Sequence, residues 1–510
     1  MKNNTNERTP THKESNTIQA FWLGLGSFAS FLFAIISTAV LSQYLDKESY
    51  GTYRQVMYVY TTLIIVFTLG LPNAFSFFLS RGTLEEGYDI VKKLTTIFFL
   101  LGTIFSLFLY FFSPLIAIML KNDNLSLSLK YFSVVPLLML PTMGLEGISA
   151  TYRKTLLNAI YVIIHRFLSI TFVILPVIFY KADANIAILG FSIASLFSCA
   201  LALYLKKIPF NKVTFKKKTS LSYKEIFTFS LPLFIASIWA IIEKSADQFF
   251  ISRYFGVSVF AEYANGSLEI PLIPMILSAT AVVLLPIFSR MSKQGVDIQE
   301  ILKLWKGSIV KSSKLIYPII SYCWFFAPII MLTLYGELYI NSAKYFRIML
   351  LINIFTLVMY SPLLLSVGAS RKYAQIHIIS ALSIVVIDYL IIIFFPSPYL
   401  ITWATIGVRF FKTALLHYAV KTIFKVSIWS LIPVLELMKI LVISSSSGVI
   451  VWFFFYIIKI SSLPITLLSS LLLYIFIYYV SCFLFKISYK EIVNPFLCKI
   501  FPSYFSKFIP

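Results

Sequence analysis

Four cations sit inside long stretches of apolar sequence: Arg166, Lys244, Arg409 and Lys412. At mid-bilayer each costs about 2.5–3.5 kcal/mol even on the lenient insertion scale, so the four would cost roughly 10–14 kcal/mol if they faced lipid. That is the size of a whole protein's stability, so these side chains must mostly face protein or water. Arg409 and Lys412 are spaced i, i+3 and share a helical face, an arrangement suited to an anion such as a diphosphate. Lys244 and Arg166 are further candidate anion contacts. Among the acids, Glu243, Asp247, Glu269 and Asp388 are candidates to bind a proton or a cation. Glu243 and Asp247 share a face at i, i+4, with Lys244 a further 100° round. The competing explanation is a set of interhelical ion pairs that hold a bundle together. For Arg166 the candidate partners are Glu146 and Asp388, and sequence alone does not choose between them. His417 continues roughly along the Arg409 face and reads as a polar packing residue. Glu262 lies near enough to the outer surface to be wet.

The elements that must position these groups are set by composition. The chain has 510 residues, 59% hydrophobic and only 13% charged, with mean hydropathy +0.86. A soluble globule cannot be covered with so little polar surface. Runs of about 20 apolar residues, the length that crosses a bilayer as a helix, recur from Ile18 to Phe485. Strand-type alternation is absent, so the expected fold is all-α and polytopic. Spans are predicted near 18–41, 55–80, 94–113, 131–151, 155–180, 184–205, 226–251, 258–289, 309–334, 343–366, 373–395, 399–424, 433–457 and 463–485, about fourteen in all. The first is too long for the core of a signal peptide and reads as retained.

Of 43 Lys and Arg, 30 fall in the tails and loops on the side of both termini and 9 on the other side. The positive-inside rule then places both termini in the cytoplasm. The net charge of +22 is spread along that rim, which argues for topology and anionic lipid headgroups and against nucleic acid. Cys199, Cys323, Cys482 and Cys498 are isolated and lack metal-ligand spacing. No metal, cofactor or catalytic group is expected, and no polar loop leaves room for a soluble catalytic domain.

Residues 41–54 (LSQYLDKESYGTYR) and 251–264 (ISRYFGVSVFAEYA) read as two copies of one segment. Ser42 aligns with Ser252, Tyr44 with Tyr254 and Tyr53 with Tyr263. Farther on, FLSR at 78–81 meets IFSR at 287–290 to within one residue of register. The implied organisation is a tail at 1–17, an N-lobe of six helices at 18–205 and a basic cytoplasmic linker at 206–225. A C-lobe of six helices at 226–424, a final helix pair at 433–485 and a tail at 486–510 follow. Each half has an even number of spans, so the lobes are parallel pseudo-symmetric repeats about an axis normal to the membrane. Tyr44, Tyr50, Tyr53 and Tyr60 are candidate sugar contacts at the outer mouth.

SYKEIFTFSLPLFIASIWAIIEKSADQFFISRYFG (222–256) resembles the start of the second lobe in the polysaccharide transporter family. These are bacterial flippases for polyprenyl-linked oligosaccharides, in the superfamily that also holds multidrug and toxic compound extruders and lipid II flippases. Ser230-Leu231-Pro232-Leu233, Asp247 and Gly256 match, as do Tyr50, Gly51 and Tyr53 in YLDKESYGTY (44–53). The stretch 18–41 contains no arginine, a departure from the lipid II flippases. The resemblance implies a non-enzymatic flippase in the bacterial inner membrane, moving an undecaprenyl-diphosphate-linked repeat unit of O-antigen or capsule type. Such a flippase works by alternating access with a proton or cation gradient as a candidate drive. Its partners would be the lipid-linked oligosaccharide, membrane lipids, and a polymerase with a chain-length regulator. An organic-cation extruder of the same superfamily is the alternative, followed by a membrane glycosyltransferase or polymerase.

Overall fold

The computed structural model describes residues 16–180, 183–211, 217–458 and 462–492. Lys212 and Lys216 of the expected linker, Cys498 and most of both tails lie outside the described residues. Every regular element among them is helical. The first six spans are α1 (Asn16–Tyr44), α2 (Lys47–Leu79), α3 (Leu84–Leu120), α4 (Asn124–Thr151), α5 (Thr155–Tyr180) and α6 (Ala184–Phe210). Next come α7 (Tyr223–Gly266), α8 (Leu272–Lys293) and α9 (Ile298–Phe325 with Ala327–Tyr335, bent by 74°). The last five are α10 (Ser342–Ser366), α11 (Ser370–Phe394), α12 (Pro398–Phe424), α13 (Val434–Ile457) and α14 (Leu463–Leu484).

Twelve of these are long and apolar enough to span a membrane, or thirteen with the bent α9 taken as one. The expected fourteenth, 399–424, is a 27-residue helix, long enough to cross at 1.5 Å per residue. Arg409 and Lys412 keep it below the apolarity of the others. The chain is a multi-pass membrane protein.

Local chemistry sets the breaks. Asp46 caps α2 by accepting from the amides of Glu48 and Ser49, each at 3.0 Å, and Thr83 with Glu86 forms a capping box at the start of α3. Capping side chains satisfy amides that have no intrahelical acceptor. Within α7, Gly256 takes φ 85° and ψ 171°, a conformation that L side chains with a Cβ avoid. The span expected at 258–289 is interrupted: helix runs to Gly266, residues 267–271 are non-helical, and α8 begins at Leu272. Pro271 lacks the amide that would carry the helix through this point. Lys206, expected in the linker, belongs to α6 and is 2% exposed. It donates to the carbonyls of Pro141 and Met143 at 2.7 and 2.6 Å, tying α6 to the break in α4.

By contact density the chain forms two compact units, residues 1–241 with 252–261, and residues 242–251 with 262–510. The repeated segments are buried alike. Leu41 and Ile251, Ser42 and Ser252, Tyr50 and Phe260, and Tyr53 are all buried, while Tyr44 and Tyr254 are both exposed. Tyr263, assigned to the second unit, is buried like its counterpart Tyr53. Of the tyrosines expected at an outer mouth, only Tyr44 is therefore exposed, because Tyr50 and Tyr53 face the core and Tyr60 stacks on Phe105 and Phe132. Gln55 donates to Ser252 at 2.7 Å, and Tyr58 meets Phe260 edge-on at 5.9 Å. A Cβ on Gly51 would lie 2.5 Å from Val257 Cγ1 and 2.7 Å from its carbonyl oxygen. We expect Gly51→Val to lower the apparent melting temperature of the purified protein, with Val257→Ala restoring only part of it because the carbonyl stays in place. Full recovery in the double variant would show that the backbone does not approach this closely.

Candidate functional site

The second unit gathers most of the intramembrane charge. Ala246, Ile384 and Val408 form one buried cluster, which seats α7, α11 and α12 against each other and fixes the polar residues beside them. Glu243 on α7 accepts from Lys412 Nζ on α12. The second oxygen of Glu243 lies 3.7 Å from His377 Nδ1 on α11, and His377 Nε2 is buried with no hydrogen-bond partner. The Glu243 and Lys412 side chains are 7% and 15% exposed. At that burial either charge alone is costly, and attraction between the two offsets a desolvation penalty neither could sustain unpaired.

One turn outward, Asp247 is 3% exposed and well supplied with donors. It accepts from Tyr263 Oη, from Thr405 Oγ1 at 3.4 Å and from the Gln248 amide at 2.7 Å. Asp388 on α11 lies within electrostatic reach of Asp247 and is 0% exposed. Neither of its oxygens has a hydrogen-bond partner. Two adjacent acids thus have opposite surroundings, one ringed by donors and one with none.

A cavity of about 240 Å³ opens beside them. Lys244 and Asp247 on α7, Glu269 in the non-helical segment before α8, Asn353 on α10 and Arg409 on α12 line it. Irregular backbone at membrane depth is tolerated where it lines a cavity or is buried in protein, and the 267–271 break does line this one. Lys244 and Glu269 pair across it at 2.9 Å with side chains 65% and 58% exposed. Arg409 is within electrostatic reach of Glu243 and Asp247, yet its Nε is buried without a hydrogen-bond partner. The two lysines of the cluster are each held by a glutamate, whereas Arg409 makes no ion pair among the described residues.

Arg166 belongs to the first unit. It donates from Nη2 and Nε to Ser30 Oγ on α1, at 2.6 and 3.2 Å. Neither Glu146 nor Asp388 pairs with it, and no carboxylate does among the described residues. A π-helical turn at Ile170–Ile174 follows directly, a distortion found often at functional sites. Glu262 is 6% exposed rather than wet, because Asn341 covers and bonds it at 3.4 Å. His417 bonds Tyr360 Oη at 3.1 Å and the Ile428 carbonyl at 3.0 Å, the pattern of a packing residue. His377 and Thr405 escape a reading of sequence alone. His377 lies eleven residues before Asp388, close to three helical turns on the same face, and that spacing was the available signal. Among the described residues no three His, Cys, Asp or Glu side chains gather as a metal site would require.

Glu243→Gln strands Lys412 in a mostly buried position and should destabilise the protein by about 3–5 kcal/mol, whereas Glu243→Gln with Lys412→Met recovers most of that loss. Thermal unfolding of the purified variants measures both. Equal stability of the single variant and the parent would mean that the pair is not buried as described.

Comparison with known proteins fits this architecture. The chain superposes on the lipid II flippase MurJ in an inward closed conformation with TM-score 0.67 at 15% identity, over 94% of this chain and 100% of that one. An inward-facing multidrug resistance transporter of the MATE family matches with TM-score 0.63 at 13% identity, over 80% of this chain and 99% of that one. A MOP superfamily transporter from Pyrococcus furiosus, described as having a binding pocket of reversed polarity, matches with TM-score 0.54 at 14% identity, over 80% and 96%. These likenesses establish a shared fold. No curated protein sequence gives a significant match. A family model described as polysaccharide biosynthesis protein matches residues 18–292. That is more than half of the chain, and the protein belongs to this polysaccharide biosynthesis family.

Proposed function

We propose that the protein is a flippase that carries an undecaprenyl-diphosphate-linked oligosaccharide, of O-antigen or capsule type, across the bacterial inner membrane from the cytoplasmic leaflet. The observation that carries this reading is Arg409, which lines the cavity and makes no ion pair among the described residues while the neighbouring lysines are each paired with a glutamate. A planar cation with spare donors suits phosphate oxygens better than a lysine does. Membership of a polysaccharide biosynthesis family and the MurJ-like fold support a lipid-linked substrate. Alternating access of two six-helix lobes would move the sugar and diphosphate through a polar path while the lipid tail stays in the bilayer. Both termini are cytoplasmic in this reading, and a polymerase with its chain-length regulator would receive the product.

Asp247 and Asp388 supply the coupling. A carboxyl at 0% exposure without a single donor is costly as a bare anion, so Asp388 is where a proton or a monovalent cation would be taken up. Lys412 and Glu243 then act as the neutral frame around this site, and Arg166 is a second anion contact in the first unit. An organic-cation extruder is the competing reading, favoured by the excess of acids around the cavity and by the MATE-like fold.

Arg409→Gln separates the two readings. Reconstituted into vesicles with a fluorescent undecaprenyl-diphosphate saccharide, the variant should lose about tenfold or more in flipping rate, the scale of one charged hydrogen bond, with Arg409→Lys recovering only part. An unchanged rate, or extrusion of organic cations that improves in Arg409→Gln, favours the extruder. Asp388→Asn should flip at a rate that no longer responds to an imposed proton or sodium gradient. A gradient response equal to the parent's removes Asp388 from the coupling role.

A further inference from the structure

A second pair of cavities lies away from the charged cluster, side by side along α9 and α13. The first, about 540 Å³, is cut along the start of α9 and roofed by Pro433 and Glu436 at the entry to α13. Lys303, Lys306, Lys311 and Lys314 line it from a single face of α9. That face is exposed by design of the sequence: Ile301, Leu302, Trp305, Ile309 and Ile316 occupy the other face and are buried, with Trp305 Nε1 donating to the Met359 carbonyl at 2.9 Å. The second cavity, about 430 Å³, starts about one turn farther along α9, at Tyr317, and shares the same stretch of α13, at Val434 and Leu437. Phe355 on α10, and Phe410 and Ala414 on α12, complete its almost wholly apolar wall.

The lysines are not equally free. Lys311 pairs with Glu491 at 3.2 Å, and Lys314 donates to the Ser488 carbonyl at 2.8 Å. Glu436 stands at the rim as the other acid. Lys303 and Lys306, spaced i, i+3 and so about 5–6 Å apart at Cβ, make no ion pair among the described residues. The cleft therefore offers two free cations within one helical turn. An apolar chamber follows 11 to 14 residues along α9, or roughly 16–21 Å at 1.5 Å per residue. Basic pockets between helices at a cytoplasmic rim bind phosphate-bearing lipid heads.

We infer that the α9–α13 cleft is a docking site for an isoprenoid diphosphate lipid, with the diphosphate on Lys303 and Lys306, the start of its chain along the cleft past Val310, and a more distal stretch in the chamber bounded by Phe355, Phe410 and Ala414. The charge pattern favours this occupant over a common phospholipid. A diphosphate brings more than one negative charge to two closely set ammonium groups, and one chain fills one chamber, whereas a diacyl lipid brings a single phosphodiester and two chains. The site deepens the flippase reading, on which it rests, by giving the substrate a place to wait in the cytoplasmic leaflet before it reaches the Arg409 cavity.

Binding to the full chain in phosphatidylcholine nanodiscs tests this, with undecaprenyl diphosphate as the probe and phosphatidylglycerol or inorganic diphosphate as competitors. Lys303→Gln with Lys306→Gln should weaken binding by about tenfold or more. Ala414→Trp, which fills the chamber at an exposed position without changing charge, should weaken it too. Neither competitor should displace the probe at equal concentration. Unchanged affinity in both variants overturns the site, and equal competition by phosphatidylglycerol reduces it to a general anionic-lipid contact and overturns the inference. If Arg409→Gln abolishes flipping while the lysine variant binds as the parent does, the function stands and this docking site falls. A parent protein that binds no undecaprenyl diphosphate overturns both.

Discussion

Moving a charged side chain from water to the middle of a bilayer costs free energy that no single contact recovers, and the second unit is arranged around that cost. Glu243 is held between Lys412 and His377, Lys244 faces Glu269, and Asp247 is ringed by Tyr263, Thr405 and the Gln248 amide. The Glu243 and Asp247 contacts reach Lys412, His377 and Thr405 on α11 and α12, so interactions that neutralise charge also fix how α7, α11 and α12 pack. Two groups stand outside this compensation, Arg409 at its Nε and Asp388 at both oxygens. In the proposed function these two groups of the second unit are where substrate and coupling ion would bind.

In the proposed function, a charged cavity and an apolar one would divide the work of holding an amphipathic molecule. The Arg409 cavity is small, carries four charged side chains in a largely apolar wall and is bounded by an unwound segment, while the α9–α13 cleft is larger and passes from basic to apolar. α12 serves both, with Arg409 on one side and Phe410, Thr413 and Ala414 on the other.

Much of the fold was legible in sequence because hydropathy is a local property. Apolar runs, the even number of spans per half and the repeated turn all follow from residues near one another in the chain, and so did the presence of charge on 226–251 and 399–424. Pairing was not legible, since Glu243 and Lys412 are separated by 169 positions and only packing brings them together. The α8 break was hidden for a different reason. Ser267 to Pro271 is apolar enough to pass as span, and the irregular backbone shows only once the cavity beside it is seen. Lys206 was misplaced because a basic residue near a polar loop looks like a headgroup contact, whereas here three carbonyl and hydroxyl acceptors draw it into the core.

The two copies of the repeated turn have reached the same bend by different means. In the first, the Asp46 side chain holds the free amides of α2 while its own backbone stays in an ordinary extended conformation; in the second, Gly256 makes the bend through its backbone. A turn built from a side chain can drift among Asp, Asn, Ser and Thr, since each presents an acceptor oxygen. A turn built from a left-handed backbone cannot drift at all without strain. The two copies thus differ in tolerance: the Asp46 bend accepts several capping residues, and the Gly256 bend strains any residue with a Cβ.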